Sequence, residues 1–321
     1  MMGSFDWIEI RNTCPEFILT DWDFVLAGFA FVGIFASFLL ILKFRGTMKG
    51  TVFLSQLAGC DLGWCLLYMW NYFYTTIAVH YRSDFMALLR VFTLSETKII
   101  KDFFEILFTL LIFHIIVEKF LWTCESRTRQ KWIIYTVGPL KFFLAYITAL
   151  YAVMASLVLN WNDLKYTDVP FCEIVIPHRI VQQPVLGFFQ VTFIPWSQGI
   201  VTLLTFFIAM LTLCRLPGVR QDDPPLQINS EGQTRRLSNG KIKSTILCIL
   251  FVYFTFMVRG TCYYMFLNPS HLYKAPMITR NLRSWSYDFM LVVFACSRMF
   301  IYYVFCRNEM VVEYPPNGLR Y

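Results

Sequence analysis

Between Glu105 and Glu118 the chain carries no Asp, Glu, Lys or Arg, and charge closes this run at both ends, Lys101/Asp102/Glu105 on one side and Glu118-Lys119 on the other. A helix over residues 98–124 is long enough to cross a hydrocarbon core of ~30 Å at ~1.5 Å per residue. Its uncharged centre suits lipid, and its charged first turns want a polar cavity. The rest of the sequence repeats the pattern. Apolar runs at about 23–42, 51–78, 132–159, 185–213, 242–267 and 285–305 each reach the length of a crossing. With residues 98–124 they predict an all-α, seven-transmembrane helix bundle.

Composition supports a membrane class. The chain is 57% hydrophobic and 15% charged, with 33 Phe among 321 residues, whereas apolar residues rarely exceed about half of a soluble domain. The net charge of +7 would point to an acidic partner in a soluble protein. Here its distribution sets orientation. Lys43, Arg45 and Lys49 follow the first run, Arg127, Arg129 and Lys131 the third, and Arg215, Arg220, Arg235, Arg236, Lys241 and Lys243 the fifth. Loops this basic belong in the cytoplasm. The opposite loops are mixed, with Arg82 and Arg90 beside Asp84 and Glu96, and Lys274, Arg280 and Arg283 before the last run. The prediction is an extracellular N-terminus over residues 1–22 and a short cytoplasmic tail over 307–321. Asp6, Glu9 and Glu16 leave no pattern of a cleaved leader. The Pro-, Asn- and Gly-rich residues 216–241 read as a flexible cytoplasmic loop. No nucleic-acid partner is expected, and membrane lipid is.

Met48-Lys-Gly-Thr-Val-Phe-Leu-Ser-Gln-Leu57-Ala58-Gly-Cys-Asp61-Leu62 resembles the Leu-Ala-x-x-Asp-Leu signature of rhodopsin-like (class A) G-protein-coupled receptors on their second helix. Glu118-Lys119-Phe120 falls where that family has Asp/Glu-Arg-Tyr, and Ser297-Arg298-Met299-Phe300-Ile301-Tyr302 where it has Asn-Pro-x-x-Tyr. Pro195 is similar to the family's fifth-helix proline, and Cys172 to the cysteine of its second outer loop. Phe251-Val-Tyr-Phe-Thr-Phe-Met257 has neither the Trp nor the Pro of the sixth-helix toggle, and the cysteine that opens the third helix is missing. The likeness is to divergent branches such as virus-encoded or invertebrate chemosensory receptors. It implies a plasma-membrane receptor that passes an extracellular ligand's signal, or a raised basal activity, to heterotrimeric G proteins. It implies no enzyme activity and no cofactor. A transporter, or a non-signalling decoy or scaffold, is the alternative, weakened as a transporter by absent repeats and unbroken helices.

Charged residues inside apolar runs cost at least ~2.5–3.5 kcal/mol each on insertion scales and call for partners. If Arg298 occupies the family's asparagine position, it faces Asp61 as a buried ion pair, with Tyr302 beside it as a switch residue. Arg298 reaching to the cytoplasmic edge is the other reading. By resemblance, Lys101, Glu105, Arg259 and Asp288 line the outer ligand cavity. The same four equally suit cross-bridges between helices, Lys101 with Asp288 and Glu105 with Arg259. Glu118 and Lys119 are expected to face the G protein, or Lys119 serves as one more cytoplasmic anchor.

Of the 10 Cys, Cys60, Cys65, Cys124, Cys214, Cys248, Cys296 and Cys306 fall in helices or on the cytoplasmic side and are expected as thiols. Cys14 and Cys172 are the preferred outer disulfide, with Cys14 and Cys262 as alternative. His80, His114, His178 and His271 have no metal spacing, so no metal is expected. His114 reads as a hydrogen-bonded core histidine.

Overall fold

The computed structural model describes residues 21–46, 52–124, 128, 131–136, 138–160, 184–215, 246–247, 249–251, 253–254, 292–293 and 295–297. Among these, the ordered structure is helical, with no strand. Expectations for Arg259, Asp288, Arg298, Tyr302, Cys14, Cys172, Cys262, the loop 216–241 and both termini lie outside the described residues, as do most of the predicted sixth and seventh helices.

Helix α1 spans Asp21–Gly46 and α2 spans Val52–Tyr68. The π-turn Met69–Phe73 carries α2 on into α3, Tyr74–His80. A short α4, Asp84–Phe92, precedes α5, Leu94–Trp122. Next come α6 (Ile133–Thr136) and α7 (Gly138–Leu159). Helix α8, Pro184–Phe188, passes through a second π-turn, Phe189–Phe193, into α9, Ile194–Arg215. These elements match the first five predicted runs, with α5 beginning four residues earlier than expected.

Among the described residues four stretches are long and apolar enough to cross a membrane, Asp23–Leu42, Val52–His80, Pro139–Leu159 and Ile194–Arg215, and α5, expected as the third crossing, is not among them. The first, third and fourth of these pack in the reverse of a soluble bundle. On α1 the buried positions Leu26, Ala30, Gly33, Ser37 and Leu40 recur at helical spacing and are mostly small, while Phe31, Phe35 and Phe38 point outward. On α7 the buried residues are Lys141, Ala145, Thr148, Ala152, Ala155 and Ser156, all small but the lysine and Thr148, and the exposed ones include Phe143, Tyr146, Leu150 and Met154. Helix α9 buries Thr205, Ala209 and Thr212 and exposes Trp196, Leu203, Phe207 and Met210. In water such surfaces would aggregate. In lipid, where apolar exposure is free and helices associate through close approach and hydrogen bonds, this is the stable arrangement. The protein is built as a helical membrane protein.

Helix α5 occupies the centre, packed against α2, α7 and α9. Its second half is buried almost all round, through Leu107, Phe108, Leu111, Ile112, Ile115 and Ile116. Two glycines let the neighbours close in. A Cβ at Gly33 would lie 2.7 Å from the sulfurs of both Cys65 on α2 and Cys296, and Cys296 Sγ donates to the Phe29 carbonyl at 2.8 Å. A Cβ at Gly63 would lie 2.2 Å from the Phe104 ring of α5, which itself packs on Trp64. No side chain fits between α2 and α5 at that level.

Gly63→Leu is therefore expected to cost ~1–3 kcal/mol by overpacking, read as a lowered Tm of the purified protein in detergent. Adding Phe104→Ala should restore part of the loss. A Gly63→Leu protein as stable as wild type would show that the two helices do not touch there.

Candidate functional site

The antiparallel pair α5 and α7 carries polar contacts at three levels. At the Glu118 end, Lys141 Nζ meets Glu118 Oε1 at 2.5 Å, and their side chains are only 2% and 11% exposed. One turn along α5, His114 Nε2 lies 2.9 Å from Thr148 Oγ1, and Nδ1 lies 2.8 Å from the Tyr135 hydroxyl on α6. At the far end, Asn160 Nδ2, just past α7, donates to Asp102 Oδ2 at 2.7 Å and to the Ser156 carbonyl at 2.9 Å.

The histidine's protons can be placed from this geometry. Thr148 Oγ1 spends its hydrogen on the Leu144 carbonyl, 2.8 Å away, so its oxygen accepts from Nε2–H. Nδ1 then accepts from the Tyr135 hydroxyl. The ring also stacks on Phe53 of α2, with centroids 5.3 Å apart and planes 20° from parallel. His114 thus joins α2, α5, α6 and α7 and has both nitrogens satisfied, as expected of a core histidine.

Beside the ion pair, Lys119 is buried, and the Arg215 guanidinium at the end of α9 lies over the Phe120 ring, 5.1 Å from its centroid. Arg215 Nη1 also donates to Cys124 Sγ at 3.6 Å. The Glu118 end is thus held from α7 and α9 together. Glu118 and Lys119 were expected on a surface facing a partner. Here Glu118 is turned to Lys141, and both residues are buried at 8% and 7%.

The Asp102 end is more open. Lys101, Asp102 and Glu105 are half-buried, and Lys98, Lys101 and Glu105 all act electrostatically on Asp102. Both π-turns lie at this end. In the first, Trp70 stacks on Tyr74 at 4.6 Å and donates Nε1 to Thr93 Oγ1 at 2.9 Å. In the second, Gln190 Nε2 donates to the Val158 carbonyl at 2.8 Å. π-turns are frequent at functional sites, and both of those described stand at this end. Midway down, the Tyr253 hydroxyl lies 2.7 Å from Thr202 Oγ1 on α9 and also bonds Thr109 on α5. Tyr253 stands in the stretch that lacks the toggle Trp, and it ties that stretch to two other helices.

Asp61 is fully buried on α2 between Leu57, Ala58 and Trp64. Lys101 and Glu105 lie on one face of α5, as spacing predicts. Their proposed partners Arg259, Asp288, Arg298 and Tyr302 are among the undescribed residues. Cys60, Cys65, Cys124, Cys214 and Cys296 carry thiols, not disulfides. No three-residue cluster of metal-ligating side chains occurs among the described residues. Sequence reasoning passed over Lys141, Asn160, Tyr135 and Tyr253. For Lys141 a signal existed: a lone lysine within the fourth apolar run, at the same membrane depth as Glu118 once the two helices run antiparallel.

No protein-family model matches the chain, and no curated protein matches it. The residues and their geometry therefore carry the functional argument.

Removing one member of a buried pair strands the other, at ~3–5 kcal/mol, whereas removing both is often close to neutral. Lys141→Met is thus expected to collapse surface expression and Tm, and Lys141→Met with Glu118→Gln to recover most of both. A double variant no better than the single one would show that the two charges do not support each other.

Proposed function

We propose that this chain is a divergent rhodopsin-like G-protein-coupled receptor of the plasma membrane, crossing seven times with its N-terminus outside. The observation that carries the reading is the place of α5. It is the central helix of the bundle and abuts α2, where Leu57, Ala58 and Asp61 of the receptor-like motif are all buried. It also presents Glu118-Lys119 at one end and Lys101, Asp102 and Glu105 at the other. A signalling helix needs a polar ligand end, an apolar shaft packed on several neighbours, and a charged end that a shift of the helix can uncover.

On this reading Lys101 and Glu105, with Arg259 and Asp288, bind the extracellular ligand. Lys119, buried in the resting structure, would engage the heterotrimeric G protein only once α5 shifts, and Glu118 keeps α5 in its resting register through Lys141. The lysine that replaces the family's arginine is a point charge without the planar fork. It pairs less selectively, in keeping with a receptor that signals without full ligand control. Asp61 with Arg298 and Tyr302 would form the core switch, and Cys14 with Cys172 the outer disulfide.

The test is basal activation across the main G-protein classes in cells, comparing wild type with Lys119→Ala at matched surface levels. Wild type should exceed mock-transfected cells in at least one class, and Lys119→Ala should fall to the mock level. Equal signals from the two proteins, or none from either, would contradict transduction through Lys119.

A further inference from the structure

Helix α4 is amphipathic the wrong way round for a helix in water. Its one buried charge, Arg90, points into the protein, where Nε donates to Thr75 Oγ1 at 3.2 Å and Nη1 to Thr97 Oγ1 at 3.3 Å. Its outward stripe is apolar. Phe85 and Leu89, one turn apart, are 74% and 37% exposed, and Tyr81, in the turn before the helix, is 72% exposed. The helix is held in this pose by its cation and by the turn before it, in which Arg82 N bonds the Val79 carbonyl and Ser83 N the Ala78 carbonyl. Arg82 takes a positive φ of 52°, a conformation L-residues seldom adopt. The bend separates α4 from the rod that precedes it.

The rod fixes the depth. Val52–His80 is 29 residues long, about 43 Å at ~1.5 Å per residue. That exceeds the ~30 Å hydrocarbon core and matches the ~40–45 Å of a bilayer with its headgroup layers. A rod of that length set across the bilayer starts α4 at headgroup level. The exposed charges of this rim are of both signs, Arg82 and Lys98 with Asp84 and Glu96. That balance complements a zwitterionic headgroup and gives no preference for anionic lipid.

We propose that the 81–92 segment is an interfacial anchor, with Tyr81, Phe85 and Leu89 inserted at the boundary between headgroups and acyl chains of zwitterionic phospholipid. The anchor fixes the height of the adjoining Lys101–Glu105 end, because Arg90 ties α4 to α3 through Thr75 and to α5 through Thr97, one turn before Lys101. It depends on the membrane architecture and is independent of the receptor reading.

The full chain carrying an environment-sensitive fluorescent amino acid at position 85, 89 or 96 is reconstituted in nanodiscs of phosphatidylcholine, with and without acyl-brominated phosphatidylcholine. Since all three positions are exposed, the labelled proteins should keep the wild-type Tm. Positions 85 and 89 should be quenched by brominated lipid at least ~2-fold more than position 96 and be shielded from aqueous iodide, as expected for a face buried ~5–10 Å into the interface. Adding phosphatidylglycerol should leave these values unchanged. Iodide reaching 85 and 89 as readily as 96 would overturn the proposal, and so would shielding from both quenchers, the mark of a second protein surface. Insertion only in the presence of phosphatidylglycerol would also overturn it.

Discussion

The Glu118–Lys141 ion pair is the interaction on which the rest of the bundle depends. Two charges this deeply buried are tolerated only against each other, so α5 and α7 must run antiparallel at one register. That register then aligns His114 with Thr148 and Asp102 with Asn160. Each contact is modest in a membrane, on the order of 1 kcal/mol. Together they specify one alignment among many that apolar surfaces alone would permit.

Lipid as solvent explains the remaining architecture. With no hydrophobic force to drive helix against helix, contact surfaces are chosen for close approach, hence Gly33, Gly63, Ala30, Ala152 and Ala209 at the interfaces and phenylalanines on the outside. Helix α5 departs from this pattern because it has no lipid-facing side through its second half. Large apolar residues pack there as they do in a soluble core.

The helices were legible because length and apolar continuity are local properties, and the first five runs match the structure within a few residues. The earlier start of α5 was less legible, since its opening turns, Leu94-Ser-Glu-Thr-Lys98, are polar. They are held as helix by the Arg90–Thr97 bond and by the Thr97 N bond to the Thr93 carbonyl. Lys141 was hidden for another reason. A lone charge in an apolar run announces that it has a partner, but a single sequence does not say which helix lies alongside. Asn160 and Tyr253 look ordinary in sequence and gain meaning only from Asp102, Thr202 and Thr109 across the helix interfaces. The pairing of Asp61 with Arg298, by contrast, rests on the sequence argument alone.

Seven crossings, an odd number, put the two termini on opposite faces of the membrane. The most direct measurement is the sidedness of the two termini in intact cells, with an epitope tag at each end and antibody access scored before and after permeabilisation. The account predicts the N-terminal tag accessible in intact cells and the C-terminal tag only after permeabilisation. Both tags on the same side would contradict seven crossings, and with them the receptor.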